Sequence, residues 1–282
     1  MQNILTIVMY HYVRELPYTN FPKIKGLLAS QFEEQLIHLA KYYQFITTDD
    51  CIDAISSGRC LPPNSILLTF DDGYIDHYLN VFPILEERGI QGCFFPPAKA
   101  ILKHQVMDIN KIHFILHEVQ NTDTLLKEIF ACLDKYRKEY SLESNDYYFL
   151  KLAKANRYDS KEIMFAKQLL QFELKENLRH QIVDDLFKKH VTKNEEALSR
   201  ELYMNIDQLK CMARNGMYIG SHGYTHYPLD TLSPEKQEQE IDLSLDFLKK
   251  VGSSTEKWVM CYPSSGYNAS LIEILKRKKC QF

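Results

Sequence analysis

Ser65-Ile66-Leu67-Leu68-Thr69-Phe70-Asp71-Asp72-Gly73 decides the fold: a short apolar run leads straight into two carboxylates and a glycine. A continuous apolar stretch of this length predicts a strand covered on both faces, as strands of a parallel sheet are. Its end is abruptly polar. Upstream, Ile4 to Tyr10 (ILTIVMY) has the same texture, predicts a second such strand and ends at His11. Between the two, Ser30 and Glu33 form a capping box, and Phe32, Leu36 and Leu39 recur at helical spacing. Downstream, Val81 to Arg88 reads as a helix stopped by Gly89, and Gln91 to Phe95 as a strand cut off by Pro96-Pro97. This alternation implies parallel strands joined by right-handed crossovers.

From residue 101 to 205 the texture changes to Tyr, Lys, Glu and Leu at helical spacing, which predicts a helical insertion. The alternation resumes with helix Ile206 to Asn215, strand Met217 to Gly220, and a helix that Ser233-Pro234 opens and Gly252 closes. Strand Trp258 to Tyr262 and helix Leu271 to Lys279 follow. Residues 1–100 and 206–282 are therefore expected to form one α/β domain, with 101–205 as a lid or interaction subdomain that is a candidate for pairing subunits into a homodimer.

Of the 282 residues, 45% are hydrophobic and 25% charged, and the net charge of -3 leaves no basic stripe for nucleic acid and no acidic tail. The seven cysteines are odd in number, scattered and free of any CxxC pair, which excludes a disulfide framework or a cysteine zinc site. The first apolar run lacks a basic flank and has about half the length of a spanning helix. No membrane span is expected, and a cytoplasmic, reduced protein is.

His11, Asp71-Asp72, His222 with His226, and Tyr262-Pro263 all fall just past the end of a predicted strand. In a parallel barrel that is the face where catalytic groups collect. An HxxxH pair alone is weak, and Asp-Asp-Gly alone is as much a turn as a site. Together, two imidazoles and a carboxylate make a mixed nitrogen and oxygen donor set with open positions, as catalytic zinc uses. Adjacent carboxylates then divide the labour: Asp72 ligates one divalent metal ion while Asp71 takes a proton from water. His38, His77, His104, His113, His117, His180 and His190 lie outside this pattern and read as surface or packing residues.

Thr69-Phe70-Asp71-Asp72-Gly73-Tyr74, Ser221-His222-Gly223-Tyr224-Thr225-His226 and Tyr262-Pro263-Ser264-Ser265-Gly266-Tyr267-Asn268 resemble the first three motifs of the polysaccharide deacetylases, the NodB-homology domains of carbohydrate esterase family four. Met9-Tyr10-His11-Tyr12-Val13 resembles the opening strand of the membrane- and capsule-associated branch, and the insertion resembles helical insertions in deacetylase-like proteins of lipopolysaccharide and capsule gene clusters. The resemblance implies a distorted, incomplete (β/α) barrel and metal-assisted removal of acetyl from N-acetylated sugars or glycan precursors, with zinc the expected ion. It implies Asp71 as the general base and Asp72, His222 and His226 as the metal ligands. Tyr74, Tyr262, Pro263 and Ser264 are the substrate-binding positions, the Ser264 N–H serving the oxyanion.

Two departures stand out. The family often places an arginine two residues before the motif's proline to position the base, and here Cys261 stands there. Its last motif supplies a histidine general acid that nothing up to Phe282 matches, which leaves His11 as the substitute. A metal-dependent sugar deacetylase of surface-polysaccharide biosynthesis is the leading expectation. A catalytically impaired carbohydrate-binding or scaffold protein is the alternative, and a hydrolase of another amide or imide the third reading.

Overall fold

The structure, a computed structural model, describes residues 4–22, 24–119 and 121–282. In chain order the elements are β1 (Leu5–Tyr10), α1 (Ala29–Leu39), β2 (Gln44–Phe45), α2 (Thr48–Ser57), β3 (Ser65–Asp71), α3 (Phe82–Glu87), β4 (Gly92–Phe95) and α4 (Ala98–Lys103). Helices α5 (Asp108–Glu118), α6 (Thr122–Tyr140), α7 (Asn145–Leu152), α8 (Lys161–Gln168) and α9 (Glu176–His190) come next. The chain closes with α10 (Glu195–Leu202), α11 (Ile206–Arg214), β5 (Tyr218–Ile219), α12 (Pro234–Val251) and α13 (Ala269–Arg277). It divides into two compact units, one of Met1–Thr19, Lys25–Gln105 and Glu196–Phe282, the other of Asn20–Ile24 and Val106–Glu195.

The first unit is a parallel sheet in the order β1-β3-β4-β5, with β2 pairing the start of β3 at Ser65 and Ile66. Its strands alternate with helices in the manner of a distorted, incomplete (β/α) barrel. Strand β3 is buried at every residue, which is why its sequence is apolar without alternation. On one face Leu67 packs with Cys93, Phe95 and Val259, and with Ile46, Cys51 and Ile52 from β2 and α2. On the other, Phe70 stacks between Tyr10 at 5.3 Å and Phe94 at 4.8 Å, with Phe32 edge-on to Tyr10 at 5.1 Å. Burying each such ring contributes about 2 kcal/mol.

Three expectations are corrected. Strand β1 is not covered on both faces along its length: Ile7 and Met9 are 54% and 57% exposed, while Leu5 packs against the core and Tyr10 is buried. Helix α1 starts at Ala29 rather than after Ser30, and its N-cap, Leu28, has no side-chain acceptor to cap with; only the Gln31 side chain accepts, from the Leu28 N–H, in place of a Ser30–Glu33 box. Trp258 to Tyr262 forms isolated bridges instead of a ladder, Met260 pairing with Ser221 and Trp258 with Cys280. Helix α2, which Thr47 and Asp50 cap reciprocally, and the short β2 are elements that apolar periodicity did not signal.

The second unit is helical, with Phe114, Ile129, Leu133, Phe165, Ile182 and Phe187 inside it. Lys111 lies within this interior, its side chain 2% exposed, and its ammonium pairs with Asp184 at 2.5 Å and Glu195 at 3.0 Å. No helix among the described residues is long and apolar enough to cross a membrane.

Candidate metal centre

Strand β3 ends on Asp71, and the next two residues, Asp72 and Gly73, both take left-handed backbone conformations at φ 72 and φ 65. Position 73 has to be glycine twice over, since a Cβ there would also lie 2.7 Å from Pro96 Cβ. The consequence is local: consecutive carboxylates, which an extended strand would place on opposite faces, are instead set by a sharp turn. Asp71 continues the face of Leu67 and Thr69, while Asp72, held to β4 by its N–H to Phe95 O at 3.1 Å, turns toward the histidine loop.

That loop follows β5. Gly220 permits the close passage, for a Cβ would meet the Phe95 ring at 2.5 Å and Val259 O at 2.8 Å. Beyond it, the loop is clamped from two sides. The Ala98 and Lys99 N–H groups at the start of α4 donate to Gly223 O and Tyr224 O. The buried Glu240 carboxylate on α12 accepts from Tyr224 N at 3.0 Å and Thr225 N at 2.9 Å. His226 sits in a left-handed conformation, φ 67, a strained setting that these contacts hold in place.

His222 Nδ1 donates to Cys261 O at 2.8 Å, so in the neutral ring Nε2 keeps its lone pair. Asp72 Oδ1 is buried and receives no hydrogen bond, although His226 Nε2 lies 3.1 Å from it and His222 Nε2 3.6 Å. Ligand atoms of Asp72, His222 and His226 all lie within 4.8 Å of one another. An orphaned carboxylate oxygen facing two imidazoles is a donor set that fits a divalent cation. The other carboxylate oxygen, Oδ2, accepts from Tyr74 Oη at 2.7 Å, which fixes the group's rotation.

Burial alone raises a carboxyl's pKa, yet His226 and His222 beside it hold Asp72 well below the usual range. His222, against the same burial, is raised well above its ordinary value by Asp72 and by the Cys261 side chain beside it. Proton and metal ion therefore compete for one face, and the buried carboxylate favours a cation there. Burial pushes the Cys261 thiol up.

The structure brings Asp71, Asp72, His222, His226 and Cys261 together. His11 is exposed and stands one residue past the last β1–β3 pair, level with Asp71, its carbonyl accepting from His77 Nε2 at 2.8 Å. Tyr74, expected at the substrate, is fully buried behind Asp72 with its hydroxyl on Asp72 Oδ2, and stacks on Tyr12 at 4.0 Å. Tyr262 is half-buried and stacks on the exposed Tyr267 at 5.3 Å, and Pro263 is buried. Ser264 and Ser265 are both left-handed, at φ 52 and φ 57; the Ser265 and Gly266 N–H groups close the turn on Tyr262 O and Pro263 O, and the Ser264 N–H takes no protein partner among the described residues. No other group of three such donors occurs among the described residues apart from Asp71, His222 and Cys261, so the second HxxxH, His113 with His117 on α5, gathers no ligand set.

A parallel α/β barrel with an aspartate and two histidines at its strand ends defines a class of hydrolase-like folds, and comparison with known proteins identifies the family. The polysaccharide deacetylase profile matches residues 58–132 and 178–282, well over half of the chain, and the chain belongs to that family. YxkH of Bacillus subtilis (strain 168) is 29% identical over 98 residues, a match spanning 34% of this chain and only 33% of that protein. Among solved structures, the chain is similar to the Streptococcus pyogenes deacetylase PplD in complex with acetate, with a TM-score of 0.56 and 17% identity over 99% of this chain and 81% of that one. IcaB from Ammonifex degensii is similar at a TM-score of 0.53 and 16% identity, covering 98% and 81%. The de-N-acetylase from Aggregatibacter actinomycetemcomitans gives 0.53 and 13%, covering 98% and 85%. At these identities the likeness is one of fold.

Proposed function

We propose that this chain is a metal-dependent hydrolase that removes acetyl groups from N-acetylated sugars, acting on surface-polysaccharide or glycan precursors. Family membership points to deacetylation of sugars. The observation that carries the finer reading is the split between the adjacent aspartates. Asp72 turns its bare oxygen to two imidazoles, whereas Asp71, 2% exposed, keeps a buried Oδ1 that no protein donor hydrogen-bonds.

Asp72, His222 and His226 would hold one divalent ion, zinc being suited to two imidazoles and a carboxylate. Bound there, it would polarise the acetyl carbonyl and acidify water. Asp71 Oδ1 is the acceptor for the proton of the attacking water. The water oxygen bonds to the acetyl carbon, the C–N bond breaks, and acetate and a free amine result. The exposed imidazole of His11, level with Asp71, is the candidate donor of a proton to the departing nitrogen. The free Ser264 N–H is the candidate donor to the developing oxyanion. Seven free cysteines support a reducing, cytoplasmic setting.

The test is acetate release from N-acetylglucosamine oligomers and nucleotide sugars by zinc-loaded protein, with and without chelator. Chelation should abolish release and zinc restore it. Zinc binding without release from any of these substrates would overturn the enzyme and favour a carbohydrate-binding protein.

A further inference from the structure

Cys261 approaches Asp71 from the strand-end segment beside it, its Sγ 3.3 Å from Asp71 Oδ2, an ordinary separation for a thiol donor to a carboxylate. This is the one side-chain hydrogen bond made to Asp71 among the described residues, for Oδ1 has none. The cysteine itself is fixed through its backbone: its N–H donates to Ser221 O at 3.0 Å, and its carbonyl accepts from His222 Nδ1 at 2.8 Å. One residue thus touches both halves of the site: its carbonyl holds the ligand His222, and its thiol lies on the Asp71 carboxylate with the His222 ring within 4.8 Å.

We infer that Cys261 is a positioning residue for the deacetylation proposed above, its S–H engaging Asp71 Oδ2 so that Oδ1 alone is left to meet water. A buried carboxylate with no donor would be free to rotate about its χ2 torsion, which is broad and two-fold, and either oxygen would then point at the water or away from it. A donor on Oδ2 removes that ambiguity. The thiol is a weak donor, so its effect lies in orientation more than in charge. That separates it from an ion-pairing group, which would also pull on the carboxylate's proton affinity.

Because the inference rests on the deacetylase reading, the test uses four proteins in the same zinc-loaded acetate-release assay: wild type, Cys261→Ala, Cys261→Ser and Asp71→Asn, with the double variant Asp71→Asn/Cys261→Ala beside them. Cys261→Ala should lower kcat about ten- to a hundred-fold with KM and zinc affinity little changed. Serine, which keeps a donor, should recover most of that loss. In the Asp71→Asn background, removing the thiol should cost little more if its effect runs through Asp71 rather than through the neighbouring His222 ring, whose nitrogen is within 4.8 Å of the sulfur. Full activity in Cys261→Ala would overturn the inference and leave the deacetylase reading intact. Equal losses in Ala and Ser, zinc affinity falling in step with kcat, or an additive double variant would show a structural role instead. No acetate release by wild type is the separate failure, that of the reading itself.

Discussion

His77 is fully buried, its Nε2 is 2.8 Å from His11 O, and its Nδ1 has no partner. The carbonyl requires the proton on Nε2, and full burial with no acceptor at Nδ1 disfavours a second proton there. Burial accordingly lowers its pKa from 6.5 to about 4. Between those values the unfolded chain binds a proton that the folded one refuses, so stability rises with pH across this window. The contribution is complete above the unfolded pKa and is lost as pH falls toward the folded one. The difference of about two and a half units corresponds to about 3 kcal/mol at most. His77→Gln keeps an N–H for His11 O and cannot titrate. Urea unfolding of both proteins at pH 7.5 and pH 4.5 should show wild type losing about 2 to 3 kcal/mol more than the variant on acidification. The same stability gap at both pH values would refute the reasoning, as would an NMR titration placing His77 near its ordinary value in the folded protein. The stakes reach the site, because this ring ties down the backbone of His11 where β1 ends beside Asp71.

Asp71→Asn should reduce acetate release by about a hundred- to ten-thousand-fold while calorimetry finds zinc affinity preserved, whereas His226→Ala should weaken zinc itself; reversed phenotypes would exchange the two roles. Glu240→Ala removes the acceptor for Tyr224 N and Thr225 N and should weaken zinc binding about ten- to a hundred-fold, wild-type affinity being the contrary result. Lys111→Met removes the buried ammonium shared by Asp184 and Glu195, which keep Lys188 and the Val106 N–H respectively, and should cost about 1 to 3 kcal/mol in denaturant unfolding, with an unchanged midpoint as the refutation.

Strand-end chemistry was legible in the sequence because a buried parallel strand writes its own limits: SILLTF is apolar throughout and Asp71 follows at once. The same rule misled at β1, where ILTIVMY is equally apolar yet Ile7 and Met9 are exposed, since composition does not report which face of a strand the rest of the chain covers. Tyr74 reads as a substrate residue from its place in a motif. Its hydroxyl faces inward because the left-handed pair before it reverses the chain, a conformation that a linear reading does not carry to the next side chain. The supporting residues on α12 left a signal that went unread. Gln237, Glu240 and Ser244 recur at intervals of three and four on the same buried stripe as Ile241, Leu245 and Leu248. Polar residues at core positions of an amphipathic helix require partners, and theirs are Leu229 O, the Tyr224 and Thr225 N–H groups, and Ser221.

The division of labour proposed for two adjacent, chemically identical side chains is a backbone property before it is an electrostatic one. Were Asp71 and Asp72 both in extended conformation, the pleat would send them to opposite faces and only one could reach the histidines or the water. Were both in a helix, they would splay about 100° apart around its axis. The left-handed turn at Asp72 and Gly73 instead keeps both carboxylates at one strand end while pointing their oxygens differently. Each is then secured by a single donor on Oδ2, Tyr74 for one and Cys261 for the other, with each Oδ1 left bare. Two buried unsatisfied oxygens would be costly in a site meant only to be stable, at about 1 to 3 kcal/mol each. Their persistence side by side accords with the proposed roles, a cation at Asp72 and a proton at Asp71.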